Sequence, residues 1–138
     1  MSNWAETVML WHVYPLGFTG APIRPDGADD DGQSDAGAAD QPVEHRLNRI
    51  EAWLDHVVEL GLNGLLLGPV FPSSTHGYDT VDYFRIDARL GDDGDIDRLI
   101  AAAHDRGIRV LFDGVFNHVG REHPAFEALE ERGPEADT

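Results

Sequence analysis

The chain has 138 residues, 41% of them apolar and 26% charged, the proportions of a soluble globular domain with a core of its own. Its formal net charge of −16 repels a phosphate backbone, which sets non-specific nucleic-acid binding aside. It has no cysteine, no apolar run near the roughly 20 residues a membrane span needs, and no basic residue ahead of its first apolar stretch, so it is expected to be cytoplasmic with no membrane partner.

Val8 to Phe18 is apolar and aromatic and reads as a buried strand running into a loop near Pro15. From about residue 19 to 42 the chain has no periodicity, is rich in Gly, Ala, Asp and Pro, and predicts a flexible acidic loop. Its Asp29-Asp30-Asp31-Gly32 lacks the alternating spacing and closing Glu of a calcium-binding loop. After Pro42, Val43, Leu47, Ile50, Leu54, Val57 and Gly61 recur at helical spacing, with Gly61 as the stop and His45 and His56 on the solvated side. Leu62 to Phe71 then reads as a strand buried on both faces.

The same unit returns. Asp92 or Asp93 caps a helix carrying Ile96, Leu99, Ile100 and Ala103, Gly107 stops it, and Ile108 to Phe112 is the next strand. Glu122 to Glu131 begins a third helix before Gly133-Pro134. Alternating helices and continuously apolar strands predict an α/β fold with a parallel sheet. Both long excursions, residues 19–41 and 72–91, leave the carboxyl ends of strands, where such folds place ligands.

Two polar constellations stand at those ends. In Asp113-Gly-Val-Phe-Asn117-His118 a carboxylate at a strand terminus demands a partner, Asn117 offers a hard carbonyl oxygen, and His118 can donate to a hydroxyl. The plainer alternative is an Asp capping the next loop beside a solvated His. In His76-Gly77-Tyr78-Asp79 an aromatic ring in a loop can lie against the apolar face of a sugar or a base, or can instead pack beneath the loop while Asp79 forms a turn. His118, Glu122 and His123 match neither zinc signature, and the nucleophile-elbow, phosphate-loop and dinucleotide fingerprints are all missing.

These residues resemble the α-amylase family, glycoside hydrolase family 13. The likeness runs in order through Tyr14-Pro15, Gly61 to Val70, His76-Gly-Tyr-Asp79, Asp82 to Asp87, Gly107 to Asp113 and Asn117-His118, and looks closest to intracellular maltodextrin-degrading members. It implies the N-terminal portion, about three β/α units, of an incomplete (β/α)₈ TIM barrel spanning residues 1–138. It also implies retaining cleavage of α-glucosidic bonds in maltodextrins or starch, with an α-glucan or maltooligosaccharide as partner. By resemblance, Tyr78 stacks on the sugar, His118 bonds its hydroxymethyl oxygen, His76 walls the pocket and Asp113 holds the architecture. Asn117 matches a calcium-ligating position; no cofactor is otherwise required. Retaining cleavage needs two carboxyl groups about 5–5.5 Å apart. The family carries its nucleophile and acid/base on the fourth and fifth strands, so both are expected beyond residue 138, and the isolated chain is expected to be inactive and poorly stable. The alternatives are a non-catalytic carbohydrate-binding or assembly piece, or a self-contained flavodoxin-like domain.

All ten basic residues are arginine, and aspartate outnumbers glutamate 17 to 9. Adaptation to high salt or a GC-rich coding bias each produces this texture. Unfolding at low salt supports the first, and indifference to salt refutes it.

Overall fold

A computed structural model describes residues 3–24 and 42–133. Three short strands, β1 (Leu10–Val13), β2 (Gly64–Leu67) and β3 (Arg109–Phe112), form a wholly parallel sheet in that order. The register aligns Trp11 with Leu65 and Val110, and His12 with Leu66 and Leu111. Because side chains alternate across a strand, this fixes two rows of opposite character. Trp11, Val13, Leu65, Leu67 and Val110 pack into or against the hydrophobic core, whereas Leu10, Leu66 and Leu111 stand outside it. Among the described residues, the core thus lies on one face of the sheet.

The expectation of a loop after β1 needs correction. Pro15 opens a short helix, α1 (Pro15–Thr19), and Gly20 closes it in the left-handed conformation. Proline suits the first helical position because its missing N–H is unpaired there in any case. β1 itself is less buried than expected: Val13 is buried, but Leu10 and His12 are exposed. The predicted loop at 19–42 also starts later, since Thr19 and Ala21 are buried; residues 25–41 lie outside the described residues.

The helix expected from Val43 to Gly61 arrives as two pieces, α2 (Asn48–Glu51) and α3 (Leu54–Glu59). Between them the Trp53 amide bonds the Ile50 carbonyl at 3.0 Å, a tighter 3₁₀ step that leaves the helical direction intact. The predicted stripe therefore survives: Leu47, Ile50, Leu54 and Val57 are all buried, while Val43 lies outside and exposed. α4 (Asp93–Asp105) starts where predicted, with Asp92 and Asp95 forming a reciprocal capping box, and Ile96, Leu99 and Ala103 enter the core. Gly61 and Gly107 take the same left-handed turn into β2 and β3, with φ of 78° and 71°. α5 (Pro124–Arg132) follows with His123 as its cap and contributes no buried residue. Among the described residues, β1 and β3 each have one sheet partner, β2.

Candidate functional site

The carboxyl ends of the three strands run into Tyr14, the 68–91 connection and the 113–123 segment. Within the second, residues 73–80 double back as a tight turn. Ser73 and Thr80 form an antiparallel bridge, the Val81 amide bonds the Pro72 carbonyl at 2.9 Å, and the Gly77 amide donates to Ser73 Oγ at 2.9 Å. Thr75 Oγ1 donates to Asp79 Oδ2 at 2.6 Å, so Asp79 does form a turn. Tyr78 nevertheless does not pack beneath it, for 37% of the residue is exposed.

The Tyr78 ring is held from several sides. Tyr14 lies against it in a near-parallel stack at 6.4 Å and 27°, and the Tyr14 hydroxyl donates to the His76 carbonyl at 2.8 Å. The His76 ring stands 6.1 Å away. From the 113–123 segment, His118 Nε2 donates to the Tyr78 carbonyl at 2.9 Å. Burial raises the Tyr78 hydroxyl above its ordinary pKa, and the Asp113 carboxylate adds to this by its charge and by a hydrogen bond. Four of the five residues singled out by sequence, namely Tyr78, His118, His76 and Asp113, therefore gather around Tyr78, His118 at its carbonyl and the other two beside its side chain.

The two segments are stitched together. The Gly120 amide bonds the Thr80 carbonyl at 2.8 Å, and the Tyr83 hydroxyl donates to the Val115 carbonyl. A methyl group at Gly120 would fall 2.6 Å from the Asp79 carbonyl and 3.0 Å from Ser74 Oγ, so only glycine allows this approach. Partial burial, with the nearby Asp79 charge, raises the Glu122 pKa.

Asn117 is exposed. Calcium takes six to eight oxygens, and no group of three or more His, Asp or Glu ligand atoms converges near Asn117 among the described residues. The one such group among them is His45, Asp92 and Asp95, whose ligand atoms lie within 4.8 Å of one another. Its atoms already have partners: Asp95 Oδ2 accepts from His45 Nδ1 at 2.6 Å and from the Asp92 amide, and Asp95 Oδ1 accepts from Arg98. The hydrogen bond to Asp95 raises the His45 pKa, favouring the protonated form that cannot ligate a metal. His45 is thus no idle member of a helix's polar face, as the sequence predicted, but lies ahead of α2 and joins the first turn of α4.

Sequence reasoning missed a buried ion pair. Arg89 and Asp87 are each 5% exposed and meet through two hydrogen bonds, from Nε to Oδ1 at 2.9 Å and from Nη2 to Oδ2 at 2.5 Å. Their i,i+2 spacing has no helical or strand signature of pairing, and the other Arg89 partners are remote in sequence. No helix among the described residues is long and apolar enough to cross a membrane.

The chain is similar to known glycosidases. The chain is 37% identical to a cyclomaltodextrinase of a Bacillus species over 128 residues, which cover 89% of the chain and 22% of that enzyme. It is 33% identical to the intracellular maltogenic amylase of Bacillus subtilis over 137 residues, 97% of the chain and 23% of the relative. The chain thus spans about a fifth of the length of the curated relatives it matches. The structure of the cyclic α-maltosyl-(1→6)-maltose hydrolase from Arthrobacter globiformis in complex with cyclic α-maltosyl-(1→6)-maltose superposes with a TM-score of 0.70 at 31% identity, over 97% of this chain and 30% of that one. These likenesses identify the parallel sheet as part of a TIM barrel. With residues 28–137 matching the model of the α-amylase catalytic domain, the chain belongs to the α-amylase family of glycoside hydrolases.

Proposed function

We propose that the chain supplies one wall of the sugar pocket in an α-amylase-type retaining glycosidase acting on α-glucosidic bonds of maltodextrins. The carrying observation is the half-exposed Tyr78 ring at the carboxyl ends of parallel strands, flanked by the Tyr14 and His76 rings, with the Tyr78 carbonyl held by His118 and the Asp113 carboxylate nearby. A rigid, partly exposed aromatic face offers a glucose ring the apolar surface on which its C–H groups stack. His118 would then bond the sugar's hydroxymethyl oxygen. Because its Nε2 is engaged with the Tyr78 carbonyl, that contact falls to Nδ1 or requires the bond to exchange.

We assign neither nucleophile nor acid/base to Asp79, Asp82, Asp87 or Asp113, none of which matches a family nucleophile position. Asp79 holds Thr75, Asp82 holds Arg85, Asp87 holds Arg89, and Asp113 faces Tyr78. The likeness to an intracellular maltogenic amylase supports a cytoplasmic role. A maltotriose titration of the ¹⁵N-labelled chain tests the reading. We expect weak saturable shifts at Tyr78, His118 and Gly77 that disappear in Tyr78→Ala. Shifts that survive this substitution, or none at tens of millimolar sugar, would refute it.

A further inference from the structure

We propose that Arg89 is the positioning residue of the sugar-binding turn: its buried guanidinium fixes the 73–80 backbone, and with it the pose of Tyr78. The inference rests on the reading above for its functional meaning, but its structural content stands independently. The guanidinium bonds Asp87 through two nitrogens, which leaves its remaining donors for neutral groups. Nη2 donates to Ser73 Oγ at 2.8 Å, and Nη1 reaches the carbonyls of Thr75 and Ile23 at 2.7 Å and of Pro22 at 3.0 Å.

Ser73 Oγ is the hinge of the argument, because it also accepts the Gly77 amide and donates to the Thr75 carbonyl. One cation therefore holds the first arm of the turn at two points, Ser73 Oγ and the carbonyl preceding His76, and through Ser73 Oγ it reaches the Gly77 amide, one residue before Tyr78. Through Pro22 and Ile23 the same cation ties the segment following α1 to this turn. Asp87 neutralises the charge, and its Oδ1 also accepts the Arg89 amide at 2.9 Å, so the cation cannot drift along its own backbone. Lysine could keep the ion pair but, as a compact point charge with three donors, cannot span these acceptors.

Amide hydrogen exchange and ring-to-ring NOEs, measured by NMR on the full chain, test the proposal without a ligand. In the parent protein the Gly77 amide should be protected to the same degree as that of Val81, with Tyr14–Tyr78 ring NOEs present. A Gly77 amide exchanging as freely as an exposed loop overturns the proposal. In Arg89→Lys, Gly77 should exchange about 10- to 100-fold faster, the worth of one charge-assisted hydrogen bond, with the ring NOEs lost and the Leu65 and Leu67 amides unchanged. Uniform acceleration across the sheet would mean a merely structural role and would also overturn it. Should Arg89→Lys fail to fold, the paired Asp87→Leu/Arg89→Met variant removes both charges together and should show the same selective loosening. Maltotriose affinity should fall at least about tenfold in whichever variant folds. A parent chain that binds no maltotriose counts against the function proposed above, while the exchange data still decide the role of Arg89.

Discussion

Gly120→Ala probes the seam that joins the two loops of the pocket. The added Cβ would sit 2.6 Å from the Asp79 carbonyl, and both Ser74 Oγ and Val81 Cγ1 at 3.0 Å close off the sideways escape. Contacts below 3.0 Å essentially do not occur, so the 113–123 segment must back away by about 0.4 Å or more against packed neighbours. The retreat runs against the 2.8 Å bond from the Gly120 amide to the Thr80 carbonyl, and His118, two residues earlier, is carried away from the Tyr78 carbonyl. Overpacking of this kind costs about 1–3 kcal/mol. With a urea slope of about 1–3 kcal/mol per molar, the midpoint should fall by about 1 M at unchanged slope. Far-UV circular dichroism in urea measures the shift, and hydrogen exchange at Gly120 should show that amide losing its protection first. A variant with the parent's midpoint and a still-protected Gly120 amide would show that the loops are not locked together here, and the assembled pocket would lose its main support.

Other expectations follow from the core and its caps. Leu99→Ala, at a position with no exposure, should cost about 2–5 kcal/mol, read from the shift in urea midpoint. Asp92→Ala removes the acceptor for the Asp95 amide and should cost about 1 kcal/mol, with fraying confined to the first turn of α4 in exchange data. The His45–Asp95 pair gives a definite pH dependence. His45 has its pKa raised from 6.5, so its contribution is complete below 6.5 and is lost as pH rises through the raised value. Asp95 is held below 3.8 despite burial, by His45, the Asp92 amide and Arg98, so its contribution is complete above 3.8 and fades as pH falls through the lowered value. Thermal midpoints should therefore be highest between these limits, and His45→Gln should flatten the alkaline arm and shrink the acid one, since Asp95 loses a partner that holds it ionised; an unchanged alkaline arm would remove His45 from the account. Salt should raise the thermal midpoint, because screening relieves the self-repulsion of a chain at −16, and a midpoint indifferent to salt would contradict this.

The periodic parts of the fold were readable because their cause is local. Leu47, Ile50, Leu54 and Val57 had to face one way at helical spacing, and they remain buried although the helix tightens at Trp53. Asp92 could be placed as a cap because the amide it accepts from lies within one turn, and Gly61 and Gly107 as stops because only a left-handed residue lets the chain leave a helix for the next strand. What misled was the reading of apolar content as burial and of proline as an end. Leu10 is apolar yet lies on the sheet face that the described residues leave uncovered, and Pro15, a poor continuation for a strand, is a good beginning for a helix.

The site divides along the same line. Tyr78, His118, His76 and Asp113 were visible as residue types at strand ends and through family likeness. Their meeting around one residue, however, depends on Gly120 admitting the Asp79 carbonyl and on Tyr14 stacking from a third strand end. His45 seemed idle because its partner, Asp95, stands fifty residues away. Arg89 was the least visible of all, since four of its six side-chain contacts go to Pro22, Ile23, Ser73 and Thr75, and three of those are backbone carbonyls that every residue possesses. A buried cation binding carbonyls leaves no pattern in the partner residues, because their side chains are free to vary. What it does leave is a constraint on itself: a charge in that position needs a carboxylate beside it, here Asp87, and a fork broad enough to reach several carbonyls at once.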